Sequence, residues 1–522
     1  MVVVLGFPLE GDGPLRPWLT GAAGLITIFL VISRIQSFLT YRKLSTSNGC
    51  SPPPTYPNGG GMLGLKLLRR LIKAKKEMTV PTAFSSIFDD TGTDVHTNQV
   101  YILGMKTIWT RDPENIKAVL SSSFKDWCLP PSRVVALKEC WGGGIFGAEG
   151  AEWEHSRAML RPSFNRSQVQ DTEIMEKHAQ NLIDIIKDDE TVDLAKIFPL
   201  FTMDIGTEIL FGESAGCLDP AKSAEGMEFT TAFNYIIDKM SKHISFPLLA
   251  KLPDAKLKRY VKYINDYTDF FVSRAMKIRD DKAKTGGSGE DDEARGKRYV
   301  FLLEELAKGD YTPVQIRTEL LSIMVAGRDT TSSLLSIIWW HLSRRPDIVR
   351  RLREELQPLG SEPPSSKELK SLKYLESVVN EVLRLYPINP VNSRCAKRDT
   401  VLPRGGGEDG RSPIFVKEGE RVIFSSSALH RRKDIWGDDA LEIKPERWET
   451  HRQAAWEYLP FGGGPRICIG QHLTVTEAAY TTARLIQAFQ HIEPKTEGPF
   501  QEAFAMVITS GDGCKVSFRR NA

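Results

Sequence analysis

Long helical patterns dominate this chain and confine it to a mainly α fold with small β-sheets. Apolar residues recur at helical spacing over 115–120, 169–186, 229–240, 314–343 and 372–385. β-like runs are short, at 100–103, 414–416, 421–424 and 506–508. The longest helical pattern carries a break: its apolar run turns abruptly into Ala326-Gly-Arg-Asp-Thr-Thr331. Gly327 costs a helix interior about 1 kcal/mol relative to alanine, and a threonine there can bond back to a carbonyl one turn earlier. The break either admits a ligand or water to the helix or is a solvated kink, and this segment alone weighs the two equally. An acid beside an alcohol, Asp329 and Thr330, can relay protons.

A second constraint lies near the C-terminal end. Phe461-Gly-Gly-Gly-Pro-Arg-Ile-Cys-Ile-Gly470 brings one cysteine to the start of an apolar-periodic stretch, 473–489. A thiol before a helix feels the positive end of the dipole and unpaired N–H groups, which favour its thiolate and metal binding. The glycines let backbone approach something flat or bulky. A lone cysteine is more often a small buried hydrophobe, so the loop needs context.

Other candidates are weak one by one. Over 372–385, Leu375, Val378, Val379 and Val382 form one helical face, while Glu381 and Arg384 lie off it, three residues apart, and read as an exposed ion pair. Trp153 and Arg157, four apart, share a helical face, and arginine favours bidentate partnership with carboxylates or phosphates. Three G-x-G-x-x-G matches, 59–64, 142–147 and 405–410, lack the strand, helix and acidic residue of a dinucleotide site and read as turns.

Composition narrows the class. With 522 residues, 41% hydrophobic, 26% charged and a net charge of +3, this is an ordinary folded protein that suggests no nucleic-acid partner. Seven scattered cysteines without C-x-x-C indicate neither a disulfide framework nor a zinc finger, and a reducing compartment is expected. Residues 17–33 hold no charge and, with the mixed stretch to Leu39, approach the length of a bilayer span. Arg34, Arg42 and Lys43 follow this run and Glu10 and Asp12 precede it, which puts the bulk of the chain in the cytosol. There the acceptor sequence Asn165-Arg-Ser167 would stay unglycosylated. Ser51-Pro-Pro-Pro-Thr-Tyr-Pro57 reads as a stiff connector, and 284–293 as a charged surface loop. The expected organisation is a short segment 1–16, a membrane anchor 17–40, a proline-rich hinge 41–60 and one catalytic domain 61–522.

Taken together the weak signals form an order. Phe461-x-x-Gly464-x-Arg466-x-Cys468-x-Gly470 resembles the haem-binding signature of the cytochrome P-450 superfamily. Ahead of it stand Trp153-x-x-x-Arg157, Ala326-Gly-Arg-Asp-Thr-Thr331, Glu381-x-x-Arg384 and Pro445-Glu-Arg-Trp448, in the order of that family. The resemblance covers about residues 50–520, and the anchor looks like the microsomal form, in the endoplasmic reticulum membrane.

The resemblance implies a P-450 fold with haem b bound through the Cys468 thiolate, whose donation favours O–O cleavage. It places Trp153, Arg157, Arg394 and Arg466 on the haem propionates, and Phe461 and Gly470 in the haem-binding loop. Asp329 and Thr330 match the acid and alcohol that deliver protons during oxygen activation, and Glu381, Arg384 and Arg447 match a buried ion network. The narrower likeness is to fungal alkane and fatty-acid terminal hydroxylases, through Asp112-Pro-Glu-Asn-Ile-Lys-Ala118, His155-Ser-Arg-Ala-Met-Leu-Arg-Pro162 and Gly464-Pro-Arg-Ile-Cys-Ile-Gly-Gln471. Gly462-Gly463 departs from that group's Asn-Ala, and Trp448 stands where phenylalanine is common. Trp127, Phe229, Phe233, Phe246, Leu248 and Val325 fall in regions that line the pocket in relatives and suit a lipophilic substrate.

The expected activity is a membrane-bound monooxygenase that hydroxylates fatty acids or n-alkanes at the chain end. The alternatives are a monooxygenase of fungal secondary metabolism and a haem-thiolate isomerase or dehydratase, which would have little need of Asp329-Thr330. Only 54 of the 522 residues follow Cys468, so a separate NADPH-dependent flavoprotein reductase is expected. Arg431, Arg432 and Lys433, with Arg161 and Lys125, are the candidate basic surface for it.

Overall fold

The helical patterns fold as helices in a computed structural model that describes residues 45–92, 94–164, 172–285 and 309–520, with isolated positions at 32, 39, 42–43, 303 and 306–307. The apolar run 17–33, all but Ile32, and the acceptor sequence at Asn165 lie outside the described residues, as does most of 284–293. Among the described residues no helix is long and apolar enough to cross a membrane.

In chain order the principal helices are α1 (Leu65–Lys76), α2 (Val80–Asp89), α3 (Pro131–Trp141), α4 (Gly150–Leu160), α5 (Glu173–Ile185), α6 (Leu194–Phe211), α7 (Ser223–Ser245), α8 (Ala255–Thr285), α9 (Pro313–Leu342), α10 (Lys373–Leu385), α11 (Ser426–His430) and α12 (Gln471–Ala488). The helix α9 runs through the body. Thr312 and Gln315 close a capping box at its start, with Pro313 in the first turn, where its missing N–H costs nothing. Every residue from Thr331 to Trp340 is buried, so this half of α9 is wrapped on all sides. Two large apolar clusters use its two halves: one holds Leu334 to Trp340 with α5, α6, α10 and α12, the other Ile316 to Met324 with α3, α4, α7 and α8. Thr202 of α6 ties the neighbours together, donating to the Arg328 carbonyl at 2.9 Å.

The strands fall in three stretches of the chain, 97–128, 191–193 and 391–519. A five-stranded sheet has the order β1-β2-β8-β5-β3, from Thr97–Ile102, Met105–Thr110, Arg421–Ser425, Val391–Ala396 and Trp127–Cys128. Only the β2/β8 pair is parallel. A three-stranded sheet orders β4 (Thr191–Asp193), β12 (Lys515–Arg519) and β9 (His491–Pro494), and two hairpins complete the set, β6-β7 (Thr400–Gly406 and Ser412–Val416) and β10-β11 (Glu502–Phe504 and Ile508–Ser510). The expectation of a mainly α fold with small sheets holds. The 506–508 run is offset, since Glu502–Phe504 and Ile508–Ser510 form the strands and Met506 lies in the turn between them.

The proline-rich stretch is docked rather than free. Tyr56 N–H donates to the Gln99 carbonyl at 3.0 Å, and Gln99 N–H to the Pro54 carbonyl at 2.8 Å, so the backbone runs along β1. Of the three glycine-rich matches, 59–64 folds as short 3-10 turns, 142–147 runs into a short helix, Gly144–Gly147, and 405–410 runs from a strand end into a turn.

Candidate functional site

Gly464 explains how the cysteine loop is held against the body. Its φ is +68°, and a Cβ there would fall 1.8 Å from the Leu120 carbonyl oxygen, so only glycine fits this approach. The chain then turns through Gly464–Arg466 and enters α12 at Gln471. Cys468 N–H donates to the Phe461 carbonyl at 3.1 Å, closing the loop on itself. The departure at Gly463 has a local cause: its Cβ would lie 2.6 Å from the Trp456 ring, whereas a Cβ on Gly462 meets nothing within 4 Å.

Cys468 is the one exposed cysteine among the described residues, open in one direction and ringed by protein in the others. The dipole argument captures only part of its electrostatics. Burial pushes the thiol's pKa up, and this outweighs the Gly470 N–H and the Arg157 charge, which both pull it down. A bound cation, more than the helix end, is what would hold this sulfur as thiolate.

The structure brings Trp153, Arg157 and Arg466 to this loop. Arg157 donates from Nη1 to the Ile467 carbonyl at 3.0 Å, gripping the residue before the cysteine. Arg466 donates to the Ala148 carbonyl at 2.9 Å, approaches Glu149 at 3.3 Å and lies over the Trp153 ring at 4.5 Å. Arg394 is buried on β5, bonded to Asn392 Oδ1 at 3.1 Å and to the Ser393 carbonyl at 2.8 Å.

A further residue, Arg133 of α3, was not legible in the sequence, where it is a lone arginine outside any motif. It meets the same Asn392 oxygen at 3.3 Å. Burial lowers its pKa to about 10, with the Arg466 charge adding to the shift. Burial likewise lowers Arg394 to about 9, with Arg133 and Arg466 contributing. Three guanidiniums thus crowd together with Glu149 as their counter-charge, and Glu149 is shared with Lys397 at 3.5 Å and the Leu129 N–H. Such a cluster asks for anions. The two carboxylates of haem fit it, and the open thiol fits its iron.

In the structure α9 is a continuous helix through Ala326–Thr331, and what changes there is its burial. Val325, Ala326, Asp329 and Thr330 are half-buried and Gly327 is exposed, in contrast to the sealed stretch that follows. A Cβ on Gly327 would meet nothing within 4 Å. Val325 and Ile469, the neighbour of Cys468, both pack against the cluster containing Trp153. Thr330 donates to the Ala326 carbonyl at 2.6 Å, the back-bond expected of a helical threonine. Asp329 is held by Arg328 Nη1 at 2.6 Å, and Arg328 is itself buried, reaching the Pro199 carbonyl at 3.4 Å.

Beneath the site lies the ion network. Glu381 and Arg384 are both without exposure, so the exposed-pair reading from periodicity fails and the network reading holds. Arg384 uses all five N–H donors: two on Glu381 at 2.9 Å, and three on the carbonyls of His430, Ala440 and Glu442 at 2.8, 2.7 and 3.0 Å. Arg447 joins Glu381 at 3.3 Å, and Trp448 Nε1 donates to it at 3.1 Å, a bond that phenylalanine could not make.

Several expected lining residues face elsewhere. Phe229 and Phe233 are packed in the core among Trp141 and Tyr267, and Trp127 sits in the sheet-side cluster with Leu120. Phe246 and Leu248 point outward, 59% and 76% exposed. The basic surface also shrinks. Arg431 turns inward to Glu502 and the Leu385 carbonyl, and Arg432 to Asp434, leaving Lys125, Arg161 and Lys433 exposed.

Residues 81–517 match the family model described as Cytochrome P450. The chain is 38% identical over 526 residues to Cytochrome P450 monooxygenase fsdH of Fusarium heterosporum, covering 99% of this chain and 91% of that protein. It is 38% identical over 528 residues to Cytochrome P450 52A3-B of Candida maltosa, covering 96% and 97%. With Cytochrome P450 monooxygenase himC of Aspergillus japonicus it shares 36% over 504 residues, covering 95% and 89%.

Proposed function

The chain belongs to the cytochrome P450 family, whose cofactor is haem with its iron bound by a cysteine thiolate, and on that premise we propose a membrane-bound monooxygenase that hydroxylates fatty acids or n-alkanes at or near the chain end. The observation that carries the site assignment is an open thiol two residues from Arg466, a member of an arginine cluster short of anions. In this reading Cys468 supplies the iron ligand. Arg133, Arg394 and Arg466 hold the propionates, with Arg157 and Trp153 securing the loop from below. Haem with a thiolate ligand supplies oxygen activation and O–O bond cleavage.

The chain's own residues do the rest. The exposed backbone at Gly327 leaves space beside the cofactor, and Val325 keeps that space apolar. Asp329 presents a carboxyl fixed by Arg328, and Thr330 Oγ1, donating to Ala326, keeps lone pairs free to accept a proton and pass one on. These two atoms form the proposed relay from solvent to the reacting oxygen.

The substrate assignment rests on the narrower resemblance in sequence and on apolar residues around the opening. Membrane association is supported by the uncharged run 17–33 and by exposed apolar side chains on the globule, Phe246, Leu248 and Leu252 in one loop and Ile72 on α1. We assign an anchor at 17–40, a hinge at 41–60 and the catalytic domain at 61–522, facing the cytosol from the endoplasmic reticulum membrane. Electrons come from an NADPH-dependent flavoprotein reductase docking near Lys125, Arg161 and Lys433.

The test is a carbon-monoxide difference spectrum of the reduced protein, followed by product profiling from fatty acids and n-alkanes of several lengths with reductase, NADPH and oxygen. A thiolate-type Soret band that Cys468→Ala abolishes, with ω-hydroxylated products, is expected. Absence of that band in the wild type overturns the site assignment. Oxygen-dependent turnover of other lipophiles alone overturns the substrate assignment.

A further inference from the structure

His430 has no solvent exposure and lies at the C-terminal end of α11, far in sequence from the cysteine loop. Its Nε2 is 2.8 Å from the Leu459 nitrogen. An amide N–H can only donate, so Nε2 is the accepting nitrogen and Nδ1 carries the proton. Nδ1 in turn lies 3.0 Å from the Arg384 carbonyl, to which it donates. Arg384 answers from Nη1 to the His430 carbonyl at 2.8 Å. The imidazole thus joins the end of α10 to the chain entering the loop.

From Leu459 the connection continues without a gap. The Leu459 carbonyl accepts from Gly462 N–H at 3.2 Å, and the Phe461 carbonyl accepts from Cys468 N–H at 3.1 Å. Tyr458 strengthens the same joint. Its ring lies 5.4 Å from the imidazole, and its hydroxyl donates to the Asn380 carbonyl of α10 at 3.1 Å.

We propose that His430 is a positioning residue for Cys468: its neutral Nδ1–H tautomer fixes the loop entry on α10 and thereby sets where the sulfur stands. The role rests on the haem-thiolate reading of Cys468. Protonation would set N–H against N–H at Leu459. Burial foremost, with the Arg384 and Arg431 charges, pushes the pKa down to about 3 against the opposing bond to the Arg384 carbonyl, which keeps the ring neutral.

The experiment compares three variants of the full-length, haem-loaded protein. His430→Leu keeps bulk and loses both bonds. His430→Gln retains an amide donor and a carbonyl acceptor. Leu352→Ala, in the large cluster built on α9, α10 and α12, is a stability control outside the hydrogen-bond chain. The readouts are the ratio of thiolate-type to thiol-type Soret bands in the reduced carbon-monoxide complex and the iron reduction potential. His430→Leu is expected to cut the thiolate-type fraction by about threefold to tenfold, the range one buried hydrogen bond carries. His430→Gln restores more than half of it, and Leu352→Ala leaves the ratio unchanged while lowering thermal stability. A wild-type ratio and potential in His430→Leu overturns the proposal, as does loss of the band in Leu352→Ala in step with its stability. Should His430→Leu fail to fold, His430→Asn decides, because its shorter side chain reaches only one partner: partial loss of the band supports the role and an unchanged ratio overturns it. A wild type without the thiolate-type band refutes the haem-thiolate reading instead.

Discussion

Gly463→Ala tests whether the unusual Gly-Gly pair of the cysteine loop is a packing requirement. Gly463 has extended backbone, φ −160°, so alanine meets no conformational strain there. Its Cβ would instead lie 2.6 and 2.8 Å from Cζ3 and Cη2 of Trp456. Carbon atoms in contact stand about 3.5–4.0 Å apart, so the ring must retreat by about 1 Å. Trp456 is poorly placed to move: it sits at φ +76° and packs on the cluster holding Leu120 and Leu459. Overpacking of this kind costs roughly 1–3 kcal/mol. Gly462 poses the opposite problem, with φ +72° and open space, so Gly462→Asn, a residue that tolerates this conformation, is expected to be nearly neutral. The assay is thermal and denaturant unfolding of the haem-loaded protein for Gly463→Ala, Trp456→Phe and the double variant. Phenylalanine lacks the outer ring atoms, so the double variant should recover most of the loss, giving a coupling energy of about 1 kcal/mol or more. Gly463→Ala as stable as wild type, or a strictly additive cycle, refutes the steric account.

Two further perturbations follow from buried polar groups. Glu477 of α12 is buried with Oε1 unpartnered, and burial raises its pKa from 4.5 to about 8. The folded protein therefore binds a proton that the unfolded chain has lost between those values, and stability falls as pH rises through that window. Glu477→Gln should flatten this slope and stabilise at pH 8 by a few kcal/mol, roughly; unfolding curves parallel to wild type across the window would exclude it. Trp448→Phe removes the donor at 3.1 Å from Glu381 Oε2, and the loss of one hydrogen bond to a buried carboxylate should cost about 1.5–3 kcal/mol in denaturant unfolding. An unchanged midpoint would mean that Arg384 and Arg447 alone satisfy Glu381.

Much of the fold was legible because burial writes its period into the sequence, as in α9 and α10. What periodicity could not register was a second layer. Glu381 and Arg384 fall off the apolar stripe of α10, yet the segment from Trp436 to Trp448 lies over them and supplies two of the three carbonyls that Arg384 bonds. For the same reason the arginine cluster was half visible. Arg394 and Arg466 came through resemblance, whereas Arg133 joins them from a helix more than 250 residues away in sequence and owes its place only to the fold. The helix-end argument for Cys468 counted the dipole and left out the burial. The two together describe the site. Burial raises the thiol's affinity for its proton and lowers the arginines' hold on theirs, so each group resists its own charge. One flat ligand with a cation at its centre and carboxylates at its edge relieves both at once. The haem of this family has that distribution of charge.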